Sequence, residues 1–236
     1  EYYLKKASSN ENRLNFSGDE KGDTPIIYPT SLFRDVFLSA DFISLIVNTH
    51  IKVANLSGNL PTFSCQAVLL ISSVKGEIFQ SEEEELGYLS SILIPILKST
   101  IIPDEQSMSF PSDSGAEQIL LKCRLFSRLM TNFSFSIFLK MPNIADIIKH
   151  LSHYTLFVLR IAVMITMRDI RENAEVPDPQ EPCMVGFNYL IGMWVSIISN
   201  NAFFGVIREH TSQPRTSSNQ DNSVAAMYNF ICQSVT

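Results

Sequence analysis

Apolar and polar residues follow a helical period along most of the chain, and the clearest example lies in residues 69–97. This stretch reads LLISSVKGEIFQSEEEELGYLSSILIPIL: apolar residues, a break at Gly76, four consecutive acids, then apolar residues again. On both sides of the break the apolar residues recur at three- and four-residue steps, a spacing that places them on one face of a helix. The pattern therefore predicts two amphipathic helices joined by a tight corner.

The first of these helices carries a broad apolar stripe. Pro61 stands near its start, where the missing N–H of proline leaves no hydrogen bond unmade. The stripe consists of Phe63, Ala67, Leu70 and Val74, widened by Val68, Leu69 and Ile71. Such breadth predicts a helix that is covered on more than one side. Gly76 after Lys75 has the arrangement of a left-handed C-terminal cap. We expect the apolar Ile78 and Phe79 to tuck under the corner that follows.

The second helix is predicted to begin at the acidic run. Ser81 is a favourable N-cap residue, and Glu84 three positions later completes the pattern of a capping box. Acids in the first turn are stabilised by the helix dipole, so a helix start explains residues 82–85. A surface for a basic partner is the alternative interpretation of this run. The apolar face that follows consists of Leu86, Leu89, Ile92, Leu93, Ile96 and Leu97. Pro95 is expected to kink the helix near its end.

The rest of the chain repeats this alternation of apolar helices and polar connections. Further helices are predicted at residues 30–40, 41–55, 116–130, 143–171, 184–200 and 203–210, and from residue 223 onward. Residues 1–16 are interpreted as the end of a preceding helix. Loops are predicted where proline and polar residues cluster, at residues 17–29, 101–115, 172–182 and 211–222.

No alternating strand pattern persists, so the predicted fold class is all-α. The two helices of such a hairpin cannot cover all of each other's apolar faces. Stacking of similar hairpins would cover the rest, which favours an α-solenoid. The absence of a strict repeat favours HEAT-like antiparallel helix pairs, with units of about 40 to 47 residues. The organisation predicted for residues 1–236 is thus a single stretch of HEAT-like repeats. Because the chain opens on Glu1 and closes on an apolar run, we interpret it as a fragment of a longer solenoid.

Charge and cysteine usage narrow the possible functions. The net charge of −6 argues against nucleic acid as a partner, because phosphate binding needs clustered lysine and arginine. The four cysteines are far apart in sequence: Cys65, Cys123, Cys183 and Cys232. Zinc sites need closely spaced ligands, so these residues are interpreted as buried thiols in a reducing compartment.

Candidate catalytic and metal-binding residues are few. His150 and His153 lie one turn apart with only Asp146 nearby, so we interpret them as ordinary helix residues and not as metal ligands. No phosphate-binding glycine loop, nucleophile elbow or zinc-protease motif occurs. The sequence therefore assigns no catalytic, cofactor-binding or metal-binding residue, and no enzyme is expected. Trp194 lies in an apolar run at helical spacing and is predicted to belong to the core.

Two apolar runs raise the alternative of a helical membrane protein. Residues 154–167 and 183–198 are both shorter than the roughly 20 residues that a transmembrane helix needs. They also contain Arg160 and Asn188, respectively. We therefore predict buried helices and no membrane span.

Several short stretches resemble exportins of the importin-β (karyopherin) superfamily, the exportin-4 type above all and the exportin-7 type next. The corner SSVKGEIF at residues 72–79, followed by acids and the pair Tyr88 and Leu89, is similar to a corner of that family. Upstream, PTSLFRDVF resembles the family's proline and short helix pair, with Phe33 where the family carries tryptophan. Downstream, YLIGMWVSII resembles a family helix whose tryptophan matches Trp194.

The resemblance implies a HEAT superhelix that acts by protein–protein binding. Exportins bind protein cargo together with Ran in its GTP state, contact nucleoporins, and shuttle between nucleus and cytoplasm. The function expected from the resemblance is therefore Ran-GTP-dependent nuclear export of protein cargo. A HEAT or armadillo scaffold without a transport role is the alternative.

Overall fold

The computed structural model describes residues 15–17, 26–56, 58–104, 108–171 and 181–199. These ranges are mostly helical, which confirms the predicted all-α class. They contain two strands, one 3₁₀ turn (Ser31–Phe33) and eight α-helices. The helices are α1 Arg34–Phe37, α2 Ala40–Val53, α3 Leu60–Ser72, α4 Glu82–Ser99, α5 Asp113–Asn132, α6 Phe135–Leu139, α7 Ile144–Arg171 and α8 Pro182–Ile198.

The chain divides into two compact units. Among the described residues, unit 1 comprises those up to Ser99 together with Asn132–Met141. Unit 2 comprises those of Thr100–Thr131 and of Pro142 onward. Unit 1 thus contains the two strands and α1–α4 with α6, whereas unit 2 contains α7, α8 and all of α5 except its last residue.

A short β-hairpin in unit 1 corrects two sequence predictions. Strand β1 (Asn15–Ser17) pairs antiparallel with β2 (Ile26–Tyr28), so Phe16 ends no helix and residues 26–28 are not a loop. The Ile27 N–H donates to the carbonyl of Ser73, and the Lys75 N–H donates to the carbonyl of Ile27, both at 2.9 Å. Three-residue strands are too short to show an alternating pattern. The corner residues that bond to Ile27 also lie far away in sequence.

Helices α2 and α3 pack against each other in unit 1, with α2 also against α4. Helix α2 begins after Ser39, whose hydroxyl accepts the Phe42 N–H at 3.4 Å, and not at Asp41. Pro61 lies in the first turn of α3, as predicted.

The apolar stripe predicted for α3 is wrong in part. Phe63 and Leu70 are 61% and 41% exposed, and the face turned inward instead carries Pro61, Cys65, Val68, Leu69, Ile71 and Ser72. Apolar residues surround most of this helix, so the sequence pattern does not decide which side is turned inward.

The apolar face predicted for α4 is confirmed. Its buried residues are Tyr88, Leu89, Ile92, Leu93, Ile96 and Leu97, with Leu86 half-buried. Pro95 lies inside the helix. The five-residue helix α6 was not predicted, because it is too short to show a helical period.

The three long helices of unit 2 form an apolar core. Their predicted positions are confirmed, with ends shifted by a few residues. Helix α7 packs against α8. Trp194 is buried as predicted, and its Nε1 donates to Thr155 Oγ1 at 2.9 Å. The prediction of buried thiols is confirmed for Cys65, Cys123 and Cys183, none of which forms a disulfide.

The length of α7 bears on the membrane alternative. Among the described helices, α7 alone is long and apolar enough to cross a membrane, and 44% of its most apolar window is buried in the structure. The 3₁₀ turn with α1 and the following α2 pass the same test only when taken together, across a 54° bend. The apolar run at residues 154–167 thus belongs to a 28-residue helix. Because α7 is long enough to cross a membrane, its length does not distinguish a buried core helix from a transmembrane helix. The absence of a transmembrane helix therefore stays a prediction.

Several predictions fall outside the described residues. They are the helix expected at residues 1–14, those at residues 203–210 and from residue 223, and the loop at residues 211–222. His210 and Cys232 lie there as well. The prediction of one continuous stretch of HEAT-like repeats also stays a prediction.

Candidate functional site

The corner between α3 and α4, residues 73–81, is the most constrained connection in unit 1. Helix α3 ends at Ser72, and Val74 then bridges to Ile27 of β2. Gly76 has a φ of +100°, and a Cβ there would meet a Tyr28 ring carbon at 3.1 Å. The left-handed glycine is therefore confirmed. Its predicted place as the cap of α3 is wrong, because the helix ends four residues earlier.

The apolar residues of the corner turn inward, as predicted. Ile78 is fully buried, and Phe79 is half-buried. The Phe79 ring meets the rings of Tyr88 and Phe133 edge-on, with centroids 5.2 and 6.3 Å apart. Edge-to-face pairs at this separation are favourable beyond their buried area. The corner therefore has an aromatic floor supplied by α4 and by the segment after α5.

Polar side chains from distant positions satisfy the main-chain carbonyls where α3 ends. The Tyr88 hydroxyl donates to the carbonyl of Ile71 at 2.7 Å. The Asn132 amide donates to the carbonyls of Ser72 and Val74 at 3.1 and 2.9 Å. Burial raises the pKa of Tyr88, so the phenol keeps the proton that it donates. No pattern along the chain pointed to Asn132, because its partners lie 60 and 58 residues away.

Arg34 links the start of the helical region to the corner and to α4. Its Nε donates to the carbonyl of Ile78 at 3.1 Å, and its guanidinium pairs with Glu84. The Ser81 hydroxyl accepts the Glu84 N–H at 3.3 Å, which confirms the predicted N-cap. The Glu84 carboxylate accepts the N–H of Gln80 at 2.8 Å, one residue before the position that a capping box would use.

The other acids of the run differ in their surroundings. Glu82 forms an ion pair with Lys140, and their hydrogen bond raises the pKa of that lysine. Hydrogen bonds to its own backbone and to Ser81 lower the pKa of Glu83. Partial burial raises the pKa of Glu85. The helix-start interpretation of the run is therefore confirmed. The basic-partner interpretation stays a prediction, and Glu82 and Glu84 already have cationic partners within the chain.

A groove of about 480 Å³ lies in unit 1 between α1, the start of α2, and α4. We call it the α1–α4 groove. Its lining includes Arg34, Asp35, Leu38, Ile43, Glu84, Gly87 and Tyr88. Its charged groups are Asp35 and the paired Arg34 and Glu84, and it contains no histidine, cysteine or lysine. Within the described residues, the lining thus combines one carboxylate without an ion pair, one ion pair and apolar side chains.

The described part of the chain holds no group of three histidine, cysteine, aspartate or glutamate residues that could bind a metal ion. His150 is half-buried, and burial, with a smaller contribution from His153, lowers its pKa. His50 is buried with its Nδ1 3.0 Å from the hydroxyl of Ser64.

The three stretches on which the expected exportin resemblance rests have different places in the structure. Those around Arg34 and around residues 72–79 meet in unit 1, whereas the stretch with Trp194 lies in unit 2. Comparisons with protein-family models, curated proteins and solved structures gave no match. Function is therefore inferred from the geometry of the site and from the resemblance.

Proposed function

We propose that this chain is a HEAT-like segment of a nuclear transport receptor of the exportin type. It mediates Ran-GTP-dependent export of protein cargo through nuclear pores, by protein–protein binding and without catalysis. Its partners on this proposal are Ran-GTP, protein cargo and nucleoporins, and it shuttles between nucleus and cytoplasm. The observation that carries the proposal is the meeting of two separate exportin-like stretches at one corner.

The contact between these stretches is direct. Arg34 belongs to the upstream stretch, PTSLFRDVF, and its Nε hydrogen-bonds the carbonyl of Ile78 in the corner stretch, 44 residues away. Its guanidinium also pairs with Glu84 in the acidic run that follows. A direct contact between the two stretches supports reading them as parts of one structural unit.

The exposed apolar residues of α3 support the finer proposal of stacked repeats. Leu60, Phe63 and Leu70 are 58%, 61% and 41% exposed, and their spacing places them along one side of the helix. In a HEAT stack each helix pair buries a continuous apolar seam against the next pair. A neighbouring pair in the solenoid would cover these side chains.

The test is a binding measurement on the intact protein with Ran loaded with a non-hydrolysable GTP analogue or with GDP. We expect binding of the GTP form only, strengthened when cargo is present, because exportins bind both together. Equal binding of both forms, or binding of neither, would contradict transport and favour the alternative of a HEAT or armadillo scaffold.

The membrane alternative rests on α7 and is tested separately. Alkaline extraction of membranes from cells that express the intact protein should release it, because the proposal places α7 in a protein core. Retention in the membrane pellet, as for an integral membrane control protein, would favour a membrane span and contradict the proposal.

A further inference from the structure

We propose that the α1–α4 groove is the docking site for a basic amphipathic segment of a partner protein, and that Gly87 keeps the groove open. The inference rests on the proposed function, since it names the chemistry of the partner that unit 1 would bind. Three properties of the groove carry it: the space above Gly87, the charge of the walls, and the apolar residues around Asp35.

The space above Gly87 has no use within unit 1. Gly87 lies inside α4 and lines the groove, and apart from its chain neighbours and the nearby backbone of α4 no atom lies within 4 Å of the position a Cβ would occupy. Glycine inside a helix is less favourable than alanine, because it loses more conformational freedom on folding. Neither its backbone angle nor a close neighbour requires glycine at this position. The missing side chain leaves room for an approaching molecule.

The charge of the walls favours a cationic partner. The segments that form them, residues 31–43 and 82–91, contain a single cation, Arg34, which is paired with Glu84. Two carboxylates line the groove, Asp35 and the paired Glu84. Asp41, Glu83 and Glu85 are close to the lining residues in sequence, and Glu82 is paired with Lys140. Asp35 is exposed and lines the groove, so it can meet a lysine or arginine of the partner. Complementary charge mainly speeds and selects association.

Apolar residues accompany this charge. Beside the groove, Leu32 and Val36 are 68% and 52% exposed, and both are close to Asp35 in sequence. Inside the groove, Ile43 and Tyr88 are buried and form its apolar lining. Acidic and apolar residues side by side match a segment that carries lysine or arginine on one side and leucine or phenylalanine on the other. Such segments bind as helices laid in grooves.

A small-molecule ligand fits the groove less well. Several of its lining residues are exposed: Asp35, Ala40, Gly87 and Ser91. Small-molecule sites enclose most of the surface of their ligand, and this lining leaves an occupant largely in solvent. A partner segment that covers the groove would exclude that solvent.

The experiment uses the intact protein and a fluorescent helical peptide of lysine and leucine, arranged with the two residue types on opposite faces. We expect the peptide to bind, and Gly87→Leu to weaken it about tenfold or more, because the new side chain fills the groove. The matched control is Gly192→Leu, at an exposed glycine of α8 that also has no atom within 4 Å of its Cβ position. It should leave the affinity unchanged. Circular dichroism checks that both variants fold.

Reversing the charge at Asp35 is a second test of the proposed peptide binding. Asp35→Lys should weaken the peptide at low salt, and high salt should reduce the difference between variant and wild type. The control is Glu117→Lys on an exposed position of α5, which should have no effect. A peptide with glutamate in place of lysine should not bind.

The inference is overturned if Gly87→Leu and Gly192→Leu bind the lysine–leucine peptide equally, or if the glutamate peptide binds as well as the lysine peptide. Ran binding separates this failure from failure of the proposed function. A protein that binds Ran-GTP selectively but shows no effect of Gly87→Leu keeps the transport role and loses the groove. A protein that shows the Gly87 effect without Ran selectivity keeps the groove and loses the transport role.

Discussion

Unit 1 and unit 2 are both helical, yet their interiors are held in different ways. At the corner of unit 1, side chains of Arg34, Tyr88 and Asn132 donate hydrogen bonds to main-chain carbonyls. In unit 2, side chains of different helices contact one another. The rings of Phe126 and Tyr154 meet edge-on at 5.2 Å, and Trp194 donates to Thr155.

The difference follows from where each main chain leaves its helix. Buried carbonyls that have lost their helical partner need another donor, because leaving one unpaired costs about 1–3 kcal/mol. Unit 1 buries such carbonyls where α3 ends, so the positions around them require side chains that can donate a hydrogen bond in the right direction. The contacts of unit 2 lie between continuous helices, so the buried positions there mainly require side chains of the right volume and shape. Substitutions should therefore act differently in the two units.

The largest expected effect lies in unit 2. Trp194→Ala should lower the free energy of unfolding by about 3–5 kcal/mol, because it removes a large, almost fully buried side chain. Trp194→Phe retains most of the volume and should cost less. Urea unfolding followed by far-UV circular dichroism measures both changes. Equal losses for alanine and phenylalanine would show that the hydrogen bond to Thr155 matters more than volume, contrary to the comparison.

The next effect lies at the corner of unit 1. Asn132→Leu keeps the branching and the number of heavy atoms but removes the donor to the carbonyls of Ser72 and Val74, so stability should fall by about 2–4 kcal/mol. Asn188→Leu is the control, at an exposed position of α8, and should change stability by less than about 0.5 kcal/mol. The same urea measurement applies. A tolerated Asn132→Leu would mean that packing alone holds the corner.

The smallest pair of effects compares two glycines of unit 1. Gly76→Ala should destabilise by about 1–2 kcal/mol, because alanine at a φ of +100° is strained and its Cβ crowds the Tyr28 ring. Gly87→Ala should stabilise by about 0.5–1 kcal/mol, because the helix gains a better residue and no contact is disturbed. Thermal unfolding of the two variants checks the signs. Changes of the same sign would contradict the distinction between a required and a dispensable glycine.

The sequence predicted the helices well because a helical period is a local signal that extends over many residues. The helix start at Ser81 and the inward turn of Ile78 and Phe79 follow from the same local chemistry. The inward face of α3 could not be predicted, because Phe63 and Leu70 are as apolar as the residues that are buried instead. The side of such a helix that turns inward is decided by its neighbours.

The candidate site was less predictable than the fold. Its acidic run and the glycine of its corner were visible in the sequence. The contacts of Arg34 with Ile78 and of Asn132 with Val74 join residues 44 and 58 positions apart. No pattern along the chain reports a contact of that range. Strand β2 escaped prediction partly for the same reason, because Ile27 bonds to Ser73 and Lys75 of the corner.

The central claim is that side chains distant in sequence hold the corner of unit 1, and amide hydrogen exchange of Asn132→Leu tests it most directly. The amides of Ile27 and Lys75 bond across the corner, to the carbonyls of Ser73 and Ile27. Their exchange should accelerate about tenfold or more, equivalent to about 1.4 kcal/mol, while the amides of α7 keep their protection. Unchanged exchange at the corner, or equal acceleration in α7, would contradict the claim.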